Sequence, residues 1–326
     1  MSASTHDEAP GMSASVALPA PARSRPWARA LGMVFGLAVV GLLAWAAQKV
    51  DWPKVWQSLR DLPPATLMAA LAAAVASHLV YATYDLLGRA WTGHRLPWPR
   101  VMQITFVSYA FNLNLGTWIG GFAFRFRLYS RLGLDKARIG QVLALSLTTN
   151  WLGYGLLAGG LFLLRLLAPP PDWTFSAAAL QWLGGLMWLL VAAYLMLCVF
   201  AGQRSFTLHG RQLSVPTWRM ALLQLTSSSL NWLIMASVVW LLLQRGLPYP
   251  QVLAALLVAA MAGVVTHIPA GIGVLETVFV ALLTPELPQP TLLAALLAYR
   301  GIYYLVPLVV ATVMYFTLEA KAGKAF

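Results

Sequence analysis

Val101–Phe124 reads VMQITFVSYAFNLNLGTWIGGFAF. The stretch is apolar enough to enter a bilayer, yet Asn112, Asn114, Gly116, Gly120 and Gly121 interrupt it. Broken helices at membrane depth survive only where protein or a wet cavity satisfies the freed backbone groups. A second stretch, Gln251–Leu283, is too long for one crossing and is broken by Pro269, Gly271 and Gly273. How these two stretches sit decides the fold.

Around them, apolar runs fall at about 31–47, 65–87, 139–164, 178–200, 219–243 and 291–317. Each is close to the roughly 20 residues that cross the hydrocarbon core. The 326 residues are 60% hydrophobic and 10% charged, far from the roughly 25% charged residues of soluble domains. Composition therefore places the chain among membrane proteins. The 22 Lys and Arg exceed the 10 Asp and Glu. In a soluble chain that excess would suggest nucleic acid; here it fits short cytoplasmic loops, and no nucleic-acid partner is expected. Cys198 lies inside an apolar run, so disulfide and zinc readings fall away. Nothing in the sequence resembles a nucleophile–base–acid set, a metal site or a phosphate loop followed by Lys, so neither enzyme activity nor a cofactor is expected. Residues 1–29 are rich in Ser, Ala and Pro and read as a disordered cytoplasmic tail. The run Leu31–Ala47 exceeds a signal-peptide core and reads as a retained first span. Residues 319–326 read as a second cytoplasmic tail.

Charge counting chooses the topology. With both broken stretches as re-entrant hairpins and the N-terminus inside, sixteen Lys and Arg face the cytoplasm and five face out. If Val101–Phe124 crosses fully, the count becomes eight inside and thirteen outside. The positive-inside rule selects the hairpin. The predicted fold is an all-α polytopic membrane protein with about six full transmembrane helices and two re-entrant helical hairpins of opposite orientation. That is the pattern of inverted-repeat transporters.

Two constellations stand out. Gly120 and Gly121 precede Arg125 and Arg127 in the first hairpin. A half-helix starting near Thr117 would point its amides and positive dipole end into the membrane, a favourable place for an anion. This topology puts Arg125 and Arg127 at the cytoplasmic boundary. The basic run through Arg131, Lys136 and Arg138 reads as an anchor at the inner leaflet. In the second hairpin, Pro269, Gly271 and Gly273 break the helix and Glu276 follows within a turn. A carboxylate at membrane depth needs a partner or a role; Arg300, inside the last apolar run, is the candidate partner. The pair reads equally as structural and as a headgroup or proton site. His267 beside the break reads as a hydrogen-bonded helix residue, and His78 is ambiguous. Ser146, Thr149, Asn150 and Gly153 share one helical face, as do Gln224, Ser228 and Asn231; both stripes read as interhelical glue. Asp85 and Arg89 have the spacing of a helix-face ion pair.

Taken in order, Gly120-Gly121 with Arg125, Arg131-Leu132-Gly133-Leu134, Pro269 through Glu276, and Tyr299-Arg300 with Pro307 resemble the flippase-like membrane domain of lysylphosphatidylglycerol synthases. That family includes stand-alone bacterial inner-membrane proteins. The resemblance covers about residues 30–318. Full-length synthases carry a soluble aminoacyl-transfer domain after this region, and the chain has no room for one before Phe326. The resemblance therefore implies lipid translocation or handling rather than lysyl transfer. Family members often carry a Glu-Arg pair on the span after the first hairpin; this chain has Thr148-Thr149-Asn150-Trp151 there, a departure that bears on substrate and coupling.

The expectation is a phospholipid translocase of the inner membrane, with both termini cytoplasmic. Gly120, Gly121, Arg125 and Arg127 would meet the headgroup, and Pro269, Gly271, Gly273, Glu276 and Arg300 would gate or couple. Two alternatives stay open: an ion-coupled transporter of a small solute, and a non-transporting lipid-binding partner of a lipid-synthesis enzyme. Oligomerisation is also left open.

Overall fold

The computed structural model describes residue 48 and residues 51–166, 176–201, 205–208 and 211–322. The predicted first span and N-terminal tail lie outside them. The chain divides into units 1–50 and 51–326; everything below concerns the second.

The second unit opens with α1 (Trp52–Arg60), a short amphipathic helix. Asp51 caps it by accepting from the Lys54 amide, Val55 is buried, and Trp56 stays exposed. It packs along α11 (Gln289–Tyr299). Next, α2 (Pro64–Ala82) and α3 (Tyr84–Thr92) form one apolar rod of 29 residues bent at Thr83. The first hairpin is α4 (Trp98–Leu115), a wide π-helical turn (Thr117–Ala123) and α5 (Phe124–Arg131). Then come α6 (Lys136–Leu163) and α7 (Ala177–Ala201), followed by two four-residue strands, β1 (Ser205–Leu208) and β2 (Arg211–Ser214). This small antiparallel ribbon pairs Ser205 with Ser214; the sequence reading had no strand there. After α8 (Trp218–Leu242) comes the second hairpin: α9 (Tyr249–Thr266), a 3₁₀ turn at Pro269–Gly271 and α10 (Val274–Leu283). The last rod is α11, a π turn over Arg300–Leu305 and α12 (Val306–Ala322).

The molecule is an all-α polytopic membrane protein. Among the described residues, five helical segments are long and apolar enough to cross a bilayer: 64–92, 177–201, 218–242, 249–266 and 289–318. With 28 residues, α6 reaches about 42 Å at 1.5 Å per residue. The arm α9, with 18 residues, reaches about 27 Å, longer than the re-entrant reading requires, while α10 has 10 residues and returns only about 15 Å. α12 continues to Ala322, into the segment read as a tail.

Both stretches that decide the fold do fold back on themselves. Each long arm has 18 residues and starts from the same turn, Leu96-Pro97-Trp98-Pro99 and Leu247-Pro248-Tyr249-Pro250. Proline suits the first helical turn because the amide it lacks would have no partner there. Tyr249 follows Trp98 by 151 residues, and Gln289, which opens α11, follows Lys136 of α6 by 153. Rod, hairpin and rod thus occur twice, with α7 between them. That spacing supplies the repeat which residue similarity alone left faint.

Within the second unit, packing joins the two repeats. α2 lies along α8, α6 packs on α7 and α8, and α4 packs on α2 and α12. The Pro269–Gly271 turn of the second hairpin sits against α4 of the first. Asn114, near the first tip, donates to the Tyr304 carbonyl at 3.2 Å. One apolar cluster fills the space among α2, α6, α8, α9, α10 and α11; a second, around Val101, Ile104, Leu128, Ile139 and Ala311, holds the first hairpin.

Candidate functional site

The chain leaves α4 through Gly116, whose φ of 85° is left-handed, and Gly120 then lies directly on the α4 backbone. A Cβ on Gly120 would stand 2.1 Å from the Asn112 nitrogen, a distance only glycine permits. Its amide donates to the Gly116 carbonyl at 2.9 Å. Gly120 thus closes the hairpin, and Gly121 faces the Asn112 side chain.

Arg125 is the second residue of the returning arm, α5, and points into the bundle. It is buried, with 5% of its surface exposed. Its Nε stands 3.4 Å from Asp85 Oδ2, and Nη1 donates to Ser146 Oγ at 3.2 Å. The guanidinium also lies over the Tyr81 ring at 5.7 Å. Tyr129 donates to the same Asp85 Oδ2 at 2.9 Å. Among the described residues, Arg125 Nε and Nη2 and Asp85 Oδ1 are buried without a hydrogen-bond partner. The expected Asp85–Arg89 pair does not form: Arg89 turns to the Leu96 carbonyl at 2.7 Å. A carboxylate sealed inside the bundle is better matched by an equally buried guanidinium than by one that reaches a loop. Arg127, one turn-step on, is exposed and borders a groove of about 440 Å³ lined by Phe122, Ala123, Phe126 and Leu143.

In the second hairpin, the expected Glu276–Arg300 pair is present. Arg300 Nε donates to Glu276 Oε1, and Nη2 donates to Oε2 at 3.0 Å. The same guanidinium donates to the Ala270 carbonyl at 3.0 Å and the Gly271 carbonyl at 2.9 Å. Glu276 in turn accepts from the Gly273 amide at 2.9 Å. The turn it holds is costly: His267, Ala270, Gly271 and Gly273 all have positive φ, and a non-glycine residue in that region costs about 1–2 kcal/mol. Arg300 therefore clamps the break that Pro269 introduces. His267 is exposed at this turn, its Nδ1 2.9 Å from the Val265 carbonyl.

Between the two ion pairs runs a seam of tyrosines that the sequence reading missed. Tyr81, under Arg125, stacks on Tyr109 with centroids 3.6 Å apart. Tyr109 Oη lies 3.1 Å from Tyr303 Oη, and Tyr303 stacks on Tyr299 at 5.2 Å. Arg300 lies over the neighbouring Tyr304 at 5.4 Å. Tyr303 Oη is also 2.7 Å from Ser77 Oγ, which donates to Asn231 Oδ1 at 2.7 Å. The signal was in the spacing: Tyr81 and Tyr84, and Tyr299 and Tyr303, each share a helix face. The polar stripes serve mainly as glue. Gln224 donates to Thr149 Oγ1 at 2.8 Å and Ser228 to the Asn150 carbonyl at 3.0 Å, while Ser146 and Asn231 leave their stripes to join the seam.

Residues 30–311 match the family described as the lysylphosphatidylglycerol synthase TM region. The chain is 47% identical over 295 residues to the inner membrane protein YbhN of Escherichia coli (strain K12), covering 90% of this chain and 93% of that one. It is 24% identical over 301 residues to the phosphatidylglycerol lysyltransferase of Staphylococcus haemolyticus (strain JCSC1435). That match covers 90% of this chain and 34% of the lysyltransferase. On fold, coverage and identity together, the chain belongs to the family of lysylphosphatidylglycerol synthase transmembrane regions.

Proposed function

We propose that the protein translocates phospholipid across the bacterial inner membrane, with both termini in the cytoplasm and no enzymatic reaction of its own. The observation that carries this reading is the unfilled donor Arg125 Nη2, buried inside a membrane hairpin. A buried guanidinium atom without a partner is costly unless an acceptor visits it, and phosphate is the acceptor a guanidinium fits. The apolar groove beside Arg127, on the same hairpin, suits acyl chains. The Arg300–Glu276 clamp would control the second hairpin tip, which presses on the same helix α4. Two further lines support the reading: the lysyltransferase relative is named for a phospholipid, and the charge asymmetry of sixteen to five fits a first hairpin that opens to the cytoplasm.

The test is a lipid flip assay in proteoliposomes with short-chain fluorescent phospholipids, matched for protein incorporation. Wild type is expected to move lipid, and Arg125→Lys to move it more slowly despite the kept charge. A wild type that moves no lipid ends this reading, and a saturable flux of a soluble compound would put solute transport in its place.

A further inference from the structure

His78 lies in the middle of the seam and the lipid reading gives it no task. It is 2% exposed, on α2. Its Nδ1 stands 2.9 Å from the Ala74 carbonyl. A carbonyl only accepts, so Nδ1 carries the ring proton and Nε2 carries the lone pair. That Nε2 is buried and has no hydrogen-bond partner among the described residues. Three rings surround the imidazole: Tyr303 at 4.7 Å, Tyr109 at 5.2 Å and Phe106 at 5.8 Å between centroids. Aromatic faces attract a cation placed against them.

The groups around it are polar but uncharged. Ser77 and Tyr81 come from its own rod, Tyr84 from α3, Tyr109 from α4, Tyr303 from the last rod and Asn231 from α8. The two ion pairs stand at the ends of the seam. Asp85–Arg125 lies beyond Tyr81, and Glu276–Arg300 lies beyond Tyr299 and Tyr304. The neighbouring hydroxyls have a fixed sense. Ser77 donates to Asn231, so Tyr303 donates to Ser77 and Tyr109 to Tyr303. Asn231 ends the chain because an amide oxygen has no proton to pass on. The hydroxyl chain therefore does not conduct protons through the bundle, and the vacant base is Nε2 of His78.

We propose that His78 is the proton site that couples this protein to the pH gradient. Resting on the lipid-translocation reading, it names the coupling ion. The step is an addition: Nε2 takes one proton from water, and the ring becomes an imidazolium with both nitrogens protonated. In the arrangement described, Nε2 is sealed under three rings. Protonation therefore belongs to an arrangement in which the rings part and water enters. A proton held only in the opened arrangement favours that arrangement by its differential binding. The opened contact is the one between α2, α4 and the last rod, where the two hairpins meet.

The experiment uses full-length protein in proteoliposomes with a trapped pH dye and a fluorescent phospholipid. An imposed pH gradient should speed wild-type lipid movement several-fold and draw protons with it. His78→Asn keeps a donor for the Ala74 carbonyl but has no base; it should move lipid at the ungraded rate and lose both responses to the gradient. Lipid movement in wild type that ignores the gradient overturns the proposal and leaves the lipid reading standing. A gradient response that survives in His78→Asn also overturns it. If wild type moves no lipid, the lipid reading fails and ¹⁵N-histidine NMR of the wild type decides the proton site. The same spectrum decides if His78→Asn does not fold. Conversion of the His78 ring to the doubly protonated form between about pH 8 and pH 5 supports the site, and an unchanged Nδ1–H tautomer refutes it.

Discussion

The two hairpins place opposite charges at equivalent points and use them differently. Glu276 follows Arg125 by 151 residues, the same interval that separates Tyr249 from Trp98. Arg125 and Asp85 are sealed, with side-chain exposures of 6% and 0%, and Nε and Nη2 of Arg125 and Oδ1 of Asp85 have no hydrogen-bond partner among the described residues. Arg300 and Glu276 are less buried, at 15% and 19%, and the arginine also holds two carbonyls of its own turn. The first pair joins three helices and retains capacity for a further partner. The second completes a local clamp. A buried pair is weak evidence of stability in itself, but it is severe to break, and that is where the two sites should separate.

The sharpest separation comes from charge removal. Arg125→Gln strands the Asp85 carboxylate and should cost about 3–5 kcal/mol, read as a large fall in the detergent melting midpoint. Adding Asp85→Asn should recover part of the loss; additive losses would deny the pairing. Glu276→Gln keeps an acceptor near an arginine that two backbone carbonyls also hold and should cost about 1–3 kcal/mol. If that order reverses in the same melts, the contrast drawn between the hairpins is wrong.

Glycine substitutions probe the two tips. Gly120→Ala drives a methyl into the Asn112 backbone and should cost about 1–3 kcal/mol by overpacking. Gly271→Ala meets open space but must hold a φ of 56°, and should cost about 1 kcal/mol. Thermal melts of the pair tell a hairpin closed by contact from one closed by backbone conformation.

The smallest effect lies at the mouth of the first hairpin. His94, in the loop before α4, is buried against Tyr129. Burial, and then Arg89, hold its pKa below the ordinary histidine value. The unfolded chain therefore binds the proton first as pH falls, so stability should drop as pH is lowered through about 6.5 toward the folded value. His94→Gln should flatten that part of the melting-versus-pH curve.

Much of this was legible because breakers act locally. Gly116 and the Pro269–Gly273 run announce their turns in the residues themselves, and Glu276 with Arg300 are charges in segments where few others exist. The Asp85–Arg125 pair was not legible, because its members lie 40 residues apart and Arg89 offers a nearer partner at helical spacing. Only packing shows that Arg89 faces a loop carbonyl while Arg125 points inward. The tyrosine seam was hidden for the same reason: four helical segments contribute to it, and each alone looks like ordinary apolar packing. The close approach of Gly120 to the Asn112 backbone was hidden too, because it depends on how the hairpin closes.

The wide π turn over Arg300–Leu305 sets the phase of the last rod. Tyr303 belongs to the large core and Ala311 to the cluster that holds the first hairpin. In an unbroken α-helix, residues eight apart stand about 80° apart around the axis. A π turn holds more residues per revolution and takes up part of that angle, and it ends beside Pro307, which has no amide to offer the Tyr303 carbonyl. The extra residue acts as a vernier between two gear faces. With it, one helix can mesh with both halves of the repeat; deleting one residue there would restore a regular pitch and leave Ala311 out of mesh.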